Sequence, residues 1–277
     1  MLPNFLVIGA QKSATSSLCY QLARHPDIYF STPKELHFFS YDKIWNRGQT
    51  WYESVFADGR SSQAVGEGST TYTMAATYPN TAPRISGMLP DAKLIYIVRD
   101  PMERIESQYM HLRTKGNRES APFNEAIRQR PSYVDNSRYL CQIDAYRKYY
   151  DDDRILVLFF EDFRSKQQEQ LHRCYAHLGV DATADIGEAV APRNVSSQGR
   201  VDTAALKLLR RLPFFATVRN RLPEPGRALL RRVIKRPITS RPEWDDATRR
   251  WVVDQLADSS QEFLQRYGKP ADYWCIE

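Results

Sequence analysis

The sequence predicts an α/β fold, a single domain with a central parallel β-sheet flanked by helices. Three observations lead there. Four short apolar runs, at residues 5–8, 64–66, 94–98 and 155–160, read as strands buried on both faces, which is how parallel sheets are written. The stretches between them carry helical periodicity and are long enough for crossovers, so strand and helix alternate. With 277 residues and 42% hydrophobic content the chain can bury one substantial core, and one domain over 1–277 is expected.

Taken in order, the first strand runs into Gly9, Ala10, Gln11, Lys12, Ser13, Ala14, Thr15, Ser16 and Ser17, and then into a helix over 16–24. Such a turn aims several backbone N–H groups at one spot, and small side chains let a phosphate-like anion come close. Thr15 and Ser16 add hydroxyl donors, and Lys12 adds a mobile positive charge. A P-loop kinase or nucleotide hydrolase is the competing reading, but its GxxxxGK(S/T) signature is missing because Lys12 follows Gly9 by three and no glycine immediately precedes it. The blander alternative is a serine-rich helix start with Lys12 in solvent.

Residues 40–63, rich in Trp and Tyr, read as a connection with a short helix. The strand at 64–66 leads into Glu67, Gly68, Ser69, Thr70, Thr71 and Tyr72, where Glu67 either contacts a substrate or caps the next helix. The strand at 94–98 ends in Arg99, Asp100 and Pro101. Asp100 suits an N-cap and Pro101 a first helical position, so a helix is expected over 101–115. Met102, Ile105, Tyr109 and Leu112 make its apolar stripe, while Arg104, Ser107, Gln108 and His111 share the other side. Arg99 and Ser107 are thereby expected to converge on one anion. Further helices are expected over 140–150, 161–178 and 245–267, the last burying Trp251, Leu256 and Phe263.

The net charge of +6 is concentrated: residues 204–241 hold eleven Lys or Arg against the single acid Glu224. Prolines split this basic insertion into two short amphipathic helices, around 206–212 and 228–234. Such a field attracts an anionic partner, whether an acidic substrate, a phospholipid surface or nucleic acid. A solvated, variable insertion explains it equally well. No run approaches the roughly 18 apolar residues of a membrane helix, and no signal-peptide pattern opens the chain, so a soluble, cytoplasmic protein is expected. Cys19, Cys141, Cys174 and Cys275 form no CxxC pair and have no histidine at ligand spacing, so reduced structural thiols and no metal site are expected.

The segment Arg99 to Tyr109, read together with Gly9 to Leu18, resembles the family of sulfotransferases that use 3'-phosphoadenosine 5'-phosphosulfate (PAPS). The first matches its R-D-P-x-x-R-x-x-S-x-Y motif for the 3'-phosphate, and the second its 5'-phosphosulfate loop. Pro33-Lys34-Glu35-Leu36-His37-Phe38-Phe39 resembles the K-E-x-H-F-F element of the heparan-sulfate-type branch, and residues 154–163 with the Trp274 end resemble its later strand and terminal helix. The resemblance implies a P-loop-like sulfotransferase fold. It implies that Lys12, with Gln11, Ser13, Ala14, Thr15, Ser16 and Ser17, holds the 5'-phosphosulfate, and that Arg99 and Ser107 hold the 3'-phosphate, joined by Gly199 and Arg200. Glu35 becomes the general base, with His37 as acceptor-orienting group or alternative base, and Glu67 joins them on the acceptor side.

On this reading PAPS is the co-substrate, 3'-phosphoadenosine 5'-phosphate (PAP) the product, and no metal is required. The acceptor is a small molecule, carbohydrate or lipid bearing a hydroxyl or amine. A P-loop kinase and a non-enzymatic anionic-surface binding protein are the other readings. No specific nucleic acid is expected as partner, and peripheral membrane contact through 204–241 is open. Two departures stand out: Ser40 replaces an acidic residue common after the double Phe, and Gly68 replaces a lysine after Glu67. The cysteine-bridged loop of the branch's secreted members is also missing. Glu35 has a plainer reading as a partner of Lys34 or an arginine, and His37 as a packing histidine.

Overall fold

The four apolar runs pair side by side in the computed structural model, which describes residues 1–114, 118–184, 200–202, 235–237 and 241–276. They form β1 (Phe5–Gly9), β3 (Ala64–Gly68), β4 (Lys93–Val98) and β5 (Ile155–Phe159) of one sheet, joined by a fifth strand, β2 (Ile28–Phe30). All are parallel, in the order β2-β3-β1-β4-β5. β2 has no apolar run to announce it. It is an edge strand of three residues, and only Ile28 is buried.

The helices among the described residues are α1 (Thr15–Leu22), α2 (Asp42–Trp45), α3 (Gly48–Ser54), α4 (Thr81–Met88), α5 (Pro101–Thr114), α6 (Phe123–Gln129), α7 (Ser132–Asp135), α8 (Tyr139–Arg147), α9 (Phe160–Ser165), α10 (Gln167–Leu178) and α11 (Asp246–Arg266). The segment expected as one helix over 161–178 is two, because Lys166 leaves helical geometry at φ −133°, ψ 52°. Asp245 caps α11 by accepting from the Thr248 amide at 2.6 Å. Leu256 and Phe263 are buried as the periodicity requires, whereas Trp251 is only half-buried, under the Arg128 guanidinium.

Side chains alternate along β1 and feed two cores. Leu6 and Ile8 pack with Phe38, Phe39, Tyr52 and Phe263, while Phe5 and Val7 pack with Leu18 and Leu22 of α1 and with Leu171 and Cys174 of α10. A third cluster seats Met102, Ile105 and Tyr109 of α5 on Phe123, Tyr133 and Leu256. An antiparallel pair, β6 (Arg200–Asp202) with β7 (Lys235–Pro237), stands apart from the sheet, and β6 lies against α5. The two helices expected within the basic insertion lie outside the described residues.

The strand order fixes where a ligand can sit. From β1 the chain crosses to β2 on one side, and from β4 it crosses to β5 on the other, so the connections diverge between β1 and β4. In open α/β sheets the crevice at such a point, beyond the carboxyl ends of the strands, is the binding site. Across that rim the loops follow in strand order. Residues 31–41 and 69–73 follow β2 and β3, and residues 10–14 and 99–100 follow β1 and β4.

Candidate active site

The loop after β1 is shaped by backbone more than by side chains. Gly9 has φ +153°, and a Cβ there would fall 1.9 Å from Oγ1 of Thr73. That hydroxyl donates to the Ile8 carbonyl at 3.1 Å, which ties the loop to the turn after β3. Lys12 and Ala14 take φ of 74° and 65°, left-handed values that residues with a Cβ adopt reluctantly. They fold the chain back into α1, whose N-cap Ala14 supplies no side-chain bond, so no capping group competes for the first-turn amides. Ser13 is fully buried and its Oγ has no hydrogen-bond partner among the described residues, a deficit of ~1–3 kcal/mol. Gln11, Lys12, Ser16 and Ser17 are half-buried and Thr15 is buried. Lys12 Nζ reaches across to within 3.5 Å of His111 Nδ1 on α5.

At the end of β4 the backbone of Arg99 is held on both sides. The Tyr139 hydroxyl donates to its carbonyl at 2.7 Å, and the next amide, of Asp100, donates to Glu161 Oε1 at 2.9 Å. Asp100 Oδ1 accepts from the Glu103 amide at 3.0 Å, the N-cap expected from the sequence. The Arg99 guanidinium lies 4.7 Å from the Phe160 ring centre and bonds to the Glu103 carboxylate. Partial burial works to raise the Glu103 carboxyl, but the bond and charge of Arg99 hold it below its ordinary value. Arg99 thus engages Glu103, and Ser107 sits buried further along the same helix. Arg104 belongs to the frame: it is fully buried and donates to Ser137 Oγ, Gln108 Oε1 and the Tyr133 carbonyl at 2.6–2.8 Å. Arg200 stands in β6, against α5, and Gly199 lies outside the described residues.

The segment after β2 is a network of side chains. Glu35 and His37 take left-handed φ of 62° and 54° around the buried Leu36, so the segment is not extended there. They meet nonetheless: His37 Nε2 lies 3.5 Å from Glu35 Oε2, which also accepts from Thr70 Oγ1 at 3.0 Å. Glu35 Oε1 pairs with Lys34 at 3.3 Å, so the plain ion-pair reading and the dyad coexist on the two oxygens. His37 Nδ1 lies 2.9 Å from Thr71 Oγ1, and its ring stacks on Tyr41 at 4.7 Å. Burial pulls the His37 imidazole below its ordinary value, with Glu35 opposing, which favours the neutral ring.

Glu67 sits deeper than a substrate contact or a helix cap would. It is fully buried; Oε1 accepts from the hydroxyls of Tyr52 and Tyr72, and Oε2 from Ser69 Oγ at 2.7 Å. Burial pushes its carboxyl up, with these hydroxyls opposing. Ser69 Oγ in turn accepts from the His37 amide at 3.0 Å, so Glu67 anchors the strand end and, through Ser69, the dyad. The glycine at 68 also has a physical reason: a Cβ there would lie 2.8 Å from Cys19 Sγ, leaving no room for a lysine. Phe38 is core, stacked on Tyr52 at 4.2 Å.

Known proteins resemble this chain. A model of the sulfotransferase family matches residues 66–185. A sulfotransferase from Alicyclobacillus acidocaldarius, solved by crystallography, is 31% identical, with a TM-score of 0.60 over 84% of this chain and 96% of that one. The chain belongs to the sulfotransferase family. Within that family, the Dictyostelium discoideum membrane-associated sulfotransferase kil1 is 41% identical over 111 residues, 39% of this chain and 22% of that protein. Mouse heparan sulfate glucosamine 3-O-sulfotransferase 3B1 is 32% identical over 151 residues, 53% of this chain and 37% of the mouse enzyme. The matches thus span well under half the length of these curated relatives. Mouse sulfotransferase SULT7A1, solved with PAP, shares the fold with a TM-score of 0.52 at 15% identity, covering 96% of this chain and 88% of that one.

In this sulfotransferase one four-residue turn, Thr70–Thr73, joins the halves of the site. Thr70 and Thr71 hold Glu35 and His37, and Thr73 holds the end of β1. Sequence reasoning gave these threonines no role, although the hydroxyl-rich run from Ser69 to Thr73 was the visible signal. It likewise left His111 without a task, though the residue falls one turn after Ser107 on the polar side of α5.

Proposed function

We propose that this chain transfers the sulfuryl group of PAPS to a hydroxyl or amine of an acceptor, with Glu35 taking the acceptor's proton. One observation carries the reading: the uncapped loop after β1 and the Arg99 loop flank the crevice between β1 and β4, and the Glu35–His37 pair stands at the neighbouring loops of the same rim. Bound there, PAPS would supply the sulfuryl group, already activated on its 5'-phosphate. Lys12, Gln11 and the amides of residues 13–17 would hold the 5'-phosphate end, and Arg99, Ser107 and Arg200, with Gly199, the 3'-phosphate. The buried, unpartnered Ser13 hydroxyl is consistent with an anion in that loop.

Positioning and charge do most of the work in such a transfer. As the acceptor oxygen bonds to sulfur, the sulfur–oxygen bond to the 5'-phosphate breaks, and the proton passes to Glu35. Lys12 neutralises the charge left on the phosphate, and PAP departs. A neutral His37 beside Glu35 orients the acceptor. The relatives named for heparan sulfate act on a carbohydrate, which supports a carbohydrate among the small-molecule, carbohydrate and lipid acceptors considered.

Calorimetric titration of the protein with PAP, 5'-AMP and ATP in a metal chelator tests the donor site. PAP is expected to bind selectively without metal, and Arg99→Ala to weaken it by about 10- to 100-fold, the size of a charge-assisted phosphate contact. ATP binding that requires Mg²⁺, with no PAP binding, would replace this reading with a kinase.

A further inference from the structure

We propose that Trp274, far along the chain from Arg99, is its positioning residue: it backs the one peptide group that aims the Arg99 side chain at the 3'-phosphate. The inference rests on the donor site proposed above and deepens it. Trp274 is 3% exposed, so it acts through other residues and meets no ligand itself.

The peptide between Arg99 and Asp100 is gripped at both of its polar atoms. Its carbonyl accepts from the Tyr139 hydroxyl at 2.7 Å, and its N–H donates to Glu161 Oε1 at 2.9 Å. Two hydrogen bonds on opposite edges of one rigid plane fix its rotation. That plane sets the course of the Arg99 side chain, whose length turns a small tilt of the peptide into a larger displacement of the guanidinium. Binding groups work only when the residues behind them hold this geometry.

Both grips lead back to Trp274. The Tyr139 ring lies 5.7 Å from the Trp274 ring, and Phe263 stacks on the indole at 6.0 Å and meets Tyr139 at 5.8 Å, so the three rings pack as one cluster. Glu161 turns its second oxygen the same way. Glu161 Oε2 and Trp274 Nε1 are both buried, and neither makes a hydrogen bond of ordinary geometry among the described residues. Burial pushes the Glu161 carboxyl up, and the Asp100 amide and the Trp274 indole N–H oppose it, so the indole faces this carboxylate. One is a donor and the other an acceptor, and each meets the other's need.

Trp274 is held in turn. The Tyr273 hydroxyl donates to Asp162 Oδ1 at 2.9 Å, and Lys269 bonds to Asp162 Oδ2 at 2.5 Å. Asp162 follows Glu161, so the segment after α11 is fastened to the start of α9 beside the Glu161 carboxylate. The support therefore runs without a break from α11 to Arg99.

Calorimetric titration of the full chain with PAP and with 5'-AMP, which lacks the 3'-phosphate, tests this. Trp274→Phe keeps an aromatic ring and removes the indole N–H, and Tyr139→Phe removes only the hydroxyl on the Arg99 carbonyl. Each is expected to weaken PAP by about three- to tenfold, one hydrogen bond's worth, and to leave 5'-AMP unchanged. On an Arg99→Ala background neither is expected to weaken PAP further, because the peptide then has no guanidinium to aim. Equal PAP binding by wild type and Trp274→Phe would overturn the proposal. So would a loss shared equally by PAP and 5'-AMP, the mark of general loosening, or an effect that persists in full without Arg99. Where Trp274→Phe does not fold, Tyr139→Phe decides on the same criteria. A wild type that binds PAP no more tightly than 5'-AMP would strike the donor reading itself, so the two failures are told apart.

Discussion

The two halves of the site are built by different means. The half proposed to hold the donor is backbone: a glycine that admits no Cβ, left-handed residues at 12 and 14, an uncapped helix start and an arginine whose flanking peptide is pinned by Tyr139 and Glu161. The half proposed to face the acceptor is side chain upon side chain, with Glu67 holding Ser69, Ser69 holding the His37 amide, and two threonines holding the Glu35–His37 pair. A backbone cradle recognises what all members of a family share, since its geometry survives most substitutions away from its few special residues. A side-chain network is where one member can differ from the next.

Variants can break this contrast. The largest expected effect is on Glu35→Gln, which removes the proposed base while keeping its shape: kcat for sulfuryl transfer is expected to fall by ~10²–10⁴, with PAP affinity unchanged in a calorimetric titration. Lys12→Ala should lower kcat by ~10²–10³ and, unlike Glu35→Gln, weaken PAP as well, because its charge serves the phosphate in both bound states. If Glu35→Gln also loosened PAP, the separation of the halves would fail.

Glu67→Gln sharpens the contrast from the other side. One oxygen accepts from two tyrosine hydroxyls and the other from Ser69, and an amide cannot reproduce both. Stability is expected to drop by ~1–3 kcal/mol and the acceptor KM to rise several-fold, while PAP binding holds. The variant should also change the pH dependence of unfolding. The folded state holds the Glu67 proton more tightly than the unfolded chain, whose carboxyl stays near 4.5. Its contribution is therefore full below that value and lost as pH rises through the folded value, a slope that Glu67→Gln removes.

The smallest effect belongs to His37. Its folded value lies below the ordinary 6.5, so the neutral ring is favoured by folding, and its contribution is present above that pH and lost as pH falls through the folded value. Denaturant titrations of wild type and His37→Asn at pH 5 and 8 are expected to differ in their pH dependence in that direction. An unchanged pH dependence in His37→Asn would remove His37 from the buried network.

The same contrast explains what was legible in the sequence. β1, β3, β4 and β5 announced themselves because a strand buried on both faces must be apolar throughout, and the segments of Lys12 and Arg99 lie at the strand ends that those runs mark. β2 did not, being three residues on an edge. The role of Glu67 was misplaced because burial depends on Tyr52 and Tyr72, which the chain brings in from a separate helix and from the turn beyond. Arg104 was set on the polar side of α5 by periodicity alone, and only the Tyr133 carbonyl and the Ser137 hydroxyl show why a charge can be kept inside.

The turn Thr70–Thr73 makes the distance between the loop after β1 and the Glu35–His37 pair a local property. In a 3-10 turn four residues span only about 8 Å, so the spacing that in-line transfer demands is written into a short piece of chain and not into the dimensions of the whole sheet. Loops elsewhere on the rim can lengthen or shorten to fit new acceptors without moving one half of the site against the other. A single residue inserted into this turn would uncouple them.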